Sequence, residues 1–113
     1  MGLDLTITYK DPRLPPLSVF FCNQRVLRNV WRPLAKKLKL PLLQRLECLF
    51  LRTKSEAEQL LRELRVVEER LDDPKSCGID DTTADYLLEG LDKCLPLLDE
   101  TVAHWQEVRE LSL

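Results

Sequence analysis

Residues that carry chemistry are scarce in this chain. It has a single histidine, His104, and it contains no G-x-S-x-G, no glycine-rich phosphate loop and no Cys-x-x-Cys pair. Catalysis needs a nucleophile or a base held by a partner, and none of the usual hydrolytic, phosphoryl-transfer or redox signatures supplies one. The reading is therefore non-enzymatic. His104 lies four residues after Glu100 and three before Glu107, but a carboxylate-bridged metal bundle requires a Glu-x-x-His pair on each of two helices. One histidine cannot meet that requirement, so no metal or other cofactor is expected.

Long hydrophobic runs are missing too. The longest uncharged stretch near the N-terminus, LPPLSVFFCNQ, is broken by Pro15 and Pro16 and preceded by Asp11 and Arg13. It has neither the length of a membrane span nor a basic region ahead of an apolar one. No membrane partner is expected, and a cytoplasmic location follows by default. Cys22, Cys48, Cys77 and Cys94 are even in number but widely spaced, with nothing to mark an oxidising context, and are read as reduced thiols. Cys94 falls in an apolar arc. Cys77, beside Lys75 in a polar segment, is the one thiol with a route to a lowered pKa.

Glycine (3 residues) and aromatics (6%) are also few, set in a background rich in Leu, Glu and Arg. That composition favours helix over strand by intrinsic propensity. At 113 residues the chain has the size of one domain, and 44% hydrophobic residues suffice for one core. The expected fold is mainly α: one domain over residues 1–113, a bundle of about four helices, two of them long and kinked at Pro33 and Pro96, with one short N-terminal β-strand. The strand is GLDLTITY, in which Leu3, Leu5, Ile7 and Tyr9 alternate with Asp4, Thr6 and Thr8. A lone strand leaves backbone groups unmet, so it needs another edge: SCGI, the C-terminal LSL, or the same strand of a second subunit in a homodimer.

The expected helices begin near Ser18, at Pro41 (LPLLQRLECLFLR), at Ser55 with Glu58 as a capping box, and at Asp80 or Asp81. Their inward positions predict a core of Phe20, Leu27, Trp31, Leu34, Leu46, Leu60, Leu64, Leu91, Leu98, Val102 and Trp105.

Charge is what the chain has in excess, and it is unevenly placed. Net charge is −2, yet residues 1–54 hold 11 Lys and Arg against 3 Asp and Glu, while residues 55–113 hold 6 against 16. In the first helix Arg25, Arg28, Arg32, Lys36 and Lys39 recur at steps of three and four, which gathers them on one face. In the last, Asp85, Glu89, Asp92, Asp99, Glu107 and Glu110 form an acidic strip opposite the leucines. Like charges so spaced repel and add nothing to helix stability. The two strips are expected to point outward in different directions, with few ion pairs between them.

This layout supports a small interaction protein of bacterial or phage type, such as an inhibitor, an immunity protein or an adaptor, binding a protein with a basic surface through its acidic helix face. The alternative is nucleic-acid binding through the cationic strip, since phosphate contacts require only clustered cations. Against that alternative stand the acidic pI of about 5.5 and the lack of aromatics between the cations.

Overall fold

The computed structural model describes residues 2–113 and shows an α+β fold. Strands β1 (Gly2–Tyr9), β2 (Leu17–Asn23), β3 (Phe50–Leu51) and β4 (Val108–Ser112) form one antiparallel sheet in the order β2-β1-β4-β3. The mainly α bundle with a single strand is thereby corrected. The strand expectation itself holds for β1, whose Leu3, Leu5 and Ile7 are buried and whose Asp4 is exposed. Its neighbours are the unforeseen β2 on one side and, on the other, the strand that contains the LSL segment.

Strands β2 and β4 are each paired with β1 through a β-bulge, which explains why their period is hidden. In β2 the register against β1 shifts between Leu3/Cys22 and Asp4/Phe20, so that Phe21 and Cys22 are buried in succession. In β4 the shift falls between Glu110 and Val108, which places buried residues at Val108 and Leu111, three apart. An extra residue on one strand breaks the two-residue alternation and imitates a helical spacing. Of the partners open to the N-terminal strand, the C-terminal LSL is the one realised, and the alternative of a homodimer through that strand is corrected, because both edges of β1 are occupied within the chain.

Three helical segments cover one face of the sheet. The first, α1, spans residues 24–37 in three pieces: Gln24–Val26, a π-helical turn Leu27–Trp31 and Arg32–Lys37. It is shorter than the sequence suggested, because residues 18–23 belong to β2. Asn23 caps its start by accepting from the Val26 N–H at 2.8 Å. The interruption expected at Pro33 takes the form of the π turn, where the Arg32 N–H reaches back five residues to the Leu27 carbonyl. Trp31 is thereby turned into the core, its ring 4.9 Å from that of Phe21.

The helix expected over LPLLQRLECLFLR is absent. In its place a single 3-10 turn, Leu43–Arg45, leads to β3, between Lys39 and Glu47 in left-handed conformation (φ 56° and 82°). Helix α2 (Lys54–Arg70) begins two residues earlier than the Ser55 signal implied. Thr53 and Glu56 form the capping box, with the Thr53 hydroxyl accepting from the Glu56 N–H. Helix α3 (Asp81–Ala103) is capped by Asp80, whose carboxylate accepts from the Thr83 N–H at 2.7 Å. It remains helical through Pro96, which is exposed on its outer side. It ends at Ala103, well short of Val108, and a 3-10 turn (Trp105–Glu107) feeds the chain into β4.

The core lies between sheet and helices. Leu27, Trp31, Leu34, Leu46, Leu60, Leu64, Leu91 and Leu98 are buried as expected, whereas Val102 and Trp105 are half-buried and Phe20 is exposed. Phe20 stands on the far side of the sheet because it pairs with Asp4, and directly opposed residues in an antiparallel ladder share a face. Each fully buried leucine contributes roughly 1.5–3 kcal/mol relative to an exposed one.

One buried carboxylate holds the irregular part in place. Glu63 of α2, 5% exposed, accepts from the N–H groups of Leu42 (3.0 Å) and Leu43 (3.1 Å) and from the Gln59 amide (3.0 Å). These two donors have no partner inside a single 3-10 turn, so the side chain serves as their cap.

Candidate interaction surfaces

The cationic set stays on the surface but is not one helical strip. Arg25, Arg28, Arg32 and Lys36 lie on α1 and are exposed, whereas Lys39 sits past the end of the helix. Because the π turn inserts a residue, the regular rotation of 100° per residue is lost within the set. Arg32 is tied to Glu47 at 2.8 Å. Among the described residues, Arg25, Arg28, Lys36 and Lys39 make no ion pair, although Asp11, Glu47, Glu110 and others do.

The acidic set is divided among three elements, which corrects the continuous strip. Asp85, Glu89, Asp92 and Asp99 are exposed on α3. Glu107 lies in the 3-10 turn that follows, and Glu110 is half-buried on β4, where it accepts from the Arg52 guanidinium at 3.2 Å. Asp99 is held by Arg65 of α2, and Glu89 faces Lys93 one turn on at 3.8 Å. What remains continuous is the line Asp81, Asp85, Glu89 and Asp92 along the first half of α3. No ion pair among the described residues joins this line to the cations of α1.

Between α1 and the start of α3 run two adjoining hollows of about 410 and 200 Å³, which share Asn29, Val30 and Thr83. Arg25 stands at one end and Lys37 at the other. Lys37 donates to the Ser76 carbonyl at 3.1 Å, and the Asp80 carboxylate, held below the usual range by the hydrogen bonds from Thr83, is engaged in capping α3. Polar groups here therefore serve the chain's own backbone. No sequence signal marks these hollows, since the two walls come from segments some fifty residues apart.

The thiols separate by depth. Burial pushes Cys22 up to about 12 and Cys94 up to about 11, which leaves both as protonated core groups. Cys77 is half-buried and Cys48 is exposed. His104 is exposed at the end of α3, and among the described residues no three His, Cys, Asp or Glu side chains converge as metal ligands. No described helix is long and apolar enough to cross a membrane.

The sheet leaves one face open. On it Ser18, Thr6, Ser112 and Phe50 lie in one row across all four strands, with the Thr6 and Ser18 hydroxyls 3.0 Å apart. Phe20 and Asp4 form the row beside it. Of the large hydrophobic side chains that are exposed, Phe20 stands on this open face and Leu17, paired with the buried Ile7, on the helix side of the same strand, with Leu14 just ahead of it; Phe50 and Val66 stand apart.

No protein-family model matches the chain, and no curated protein or solved structure matches it significantly. Its surfaces must therefore be weighed on their own chemistry.

Proposed function

We propose that this protein is a non-catalytic binding module that presents the carboxylates of the first half of α3 to a protein with a basic surface. The observation that carries the reading is the run of Asp85, Glu89 and Asp92 along one exposed helical line, with no cation of α1 within reach. Maintaining like charges in a row costs a few tenths of a kcal/mol per pair in helix stability. Such a row steers an oppositely charged partner and raises the association rate. Asp99, Glu107 and Glu110 fall outside the surface: Asp99 is tied to Arg65 of a neighbouring helix, Glu110 to Arg52 on the sheet, and Glu107 lies beyond the helix, whereas Glu89 meets only the exposed Lys93 of its own helix at 3.8 Å.

The test compares the wild-type chain with Asp85→Lys/Glu89→Lys/Asp92→Lys as bait against host extract at low and high salt. A partner retained by the wild type, released by salt and lost with the triple reversal supports the surface. Retention by the reversed chain at low salt removes it. Reversing Arg25, Arg28 and Lys36 should leave that partner bound.

A second reading rests on Arg25, Arg28, Lys36 and Lys39, exposed cations on and just after α1 that make no ion pair among the described residues and suit phosphate contacts. Fluorescence anisotropy with labelled single and double strands decides it. Binding must weaken steeply with log salt, and each neutralised cation should flatten that dependence. Absence of binding at low salt eliminates it.

A further inference from the structure

We propose that the free edge of β2 pairs with β2 of a second copy across a twofold axis, joining the two sheets into one. β2 has a single neighbour in the order β2-β1-β4-β3, so its other side presents unpaired backbone groups. Half of that edge is closed within the chain. The Asn23 N–H donates to the Tyr86 hydroxyl at 3.1 Å, and Gly90 brings α3 so near that a Cβ there would lie 2.7 Å from the Phe21 carbonyl oxygen. The stretch Leu17–Phe20 remains, and it carries no charged residue of its own.

Edges in monomers are usually blunted by lysine, by inward charges or by very short strands. This one instead displays Leu17 (40% exposed) and Phe20 (47%), with Leu14 (50%) just ahead. The other edge of the sheet is a strand of only two residues.

The occupant is argued from self-complementarity. Opposed residues of an antiparallel pair share a face, so a twofold centred on Ser18 sets Leu17 against Val19 of the second copy on the helix side. On the open side it sets Pro16 against Phe20 of the second copy. Pro16 has no N–H, which ends the ladder where the closed half of the edge begins. No like charges meet anywhere along the strand.

Helix α3 supplies the rest. It passes Asn23 at Tyr86, Phe21 at Gly90 and Leu17 at Leu97, so it runs antiparallel to β2. The axis at Ser18 therefore lies at the level of Leu97, which is half-buried beside Leu17. Lys93 stands beside Phe20 and Phe21, and Glu100 beside Leu17. Reversal about the axis brings Lys93 of each copy towards Glu100 of the other. The surface is small, so association is weak and concentration-dependent. Asp85 and Asp92 do not line this contact, whereas Glu89 shares the hollow of Phe20 and Lys93 and lies 3.8 Å from Lys93; the Ser18→Cys cross-link, which alters no acidic residue, keeps the dimer distinguishable from the acidic binding surface.

Sedimentation velocity of the full chain over a wide concentration series tests this directly. The wild type should shift from monomer towards dimer as concentration rises. Lys93→Glu and Glu100→Lys, both at exposed positions, should each weaken the dimer, and the double swap should restore it. In a Cys48→Ser background, Ser18→Cys should form an intermolecular disulfide on mild oxidation, since the two positions would face each other at about 5.5 Å between Cα atoms. A monomer at every concentration overturns the proposal. So does a dimer that neither responds to the charge swap nor cross-links through Ser18→Cys.

Discussion

Replacing Glu63 tests whether the irregular segment between α1 and α2 is held by one side chain. Its carboxylate satisfies two backbone donors, Leu42 and Leu43, and a third donor from Gln59, in a site only 5% exposed. Glu63→Ala leaves the two N–H groups buried without partners, at a cost of about 1–3 kcal/mol each. Partial relaxation of the turn offsets some of this, so the expected loss is roughly 2–5 kcal/mol. Glu63→Gln retains one acceptor oxygen, and Gln59 can turn its own oxygen to the new amide; the loss should fall to about 1–2 kcal/mol on the same scale. Urea denaturation followed by circular dichroism measures both, provided that the slope m is unchanged. Amide exchange should also accelerate at Leu42 and Leu43. A loss below about 0.5 kcal/mol for Glu63→Ala, with exchange at those two amides unaltered, would refute the capping account, since a surface substitution costs no more than that.

Truncating Leu64 or Leu98 to Ala, both fully buried, should cost about 2–5 kcal/mol in the same assay. Thr53→Ala should cost about 1 kcal/mol by removing a helix cap, and Asp80→Ala should lower the melting temperature for the same reason. Hydrogen bonds hold the Glu56 and Asp80 carboxyls below their ordinary values of 4.5 and 3.8. Their contribution is complete above those values and is lost as pH falls through the lower folded values, so an acid titration of stability should flatten in Glu56→Gln and Asp80→Asn. With a thiol reagent at neutral pH, Cys48 should react at once and Cys77 more slowly, while Cys22 and Cys94 should react only on unfolding.

How much of this was legible in the sequence can be traced to particular residues. The alternation of Leu3, Leu5 and Ile7 survives intact in β1 because that strand carries no extra residue, and of the two caps the sequence offers, Asp80 and Asp81, Asp80 is the one used. In β2 the succession of Phe21 and Cys22, and in β4 the spacing of Val108 and Leu111, are products of bulges that only the pairing reveals. Val102, Trp105 and Val108 continue the spacing of α3, so the sequence gives no warning that the helix stops at Ala103. Nothing in the sequence marks Glu63 as a cap, because a charged residue at a helical position reads as solvated. Only the neighbouring turn, twenty residues away, turns it inward. Asp85, Glu89 and Asp92 follow the helical spacing read from the sequence because α3 is regular there, whereas Glu107 lies in the 3-10 turn and Glu110 in β4, where that spacing no longer applies.

The neighbours β1 and β4 lie at opposite ends of the described chain, with Ile7 set against Leu111 in the middle of the sheet. That seam cannot close until nearly every other residue has been placed, and the entropy of closing so long a loop must be met before its hydrogen bonds form. The β1–β2 hairpin and the α2–α3 pair are local and can assemble early. The central seam is then the slow, late event, and folding should be slower than for a helical bundle of equal length. During synthesis β1 would wait with one edge open until β4 has left the ribosome, a period in which strand-binding chaperones, or the same edge on a neighbouring nascent chain, could compete for it.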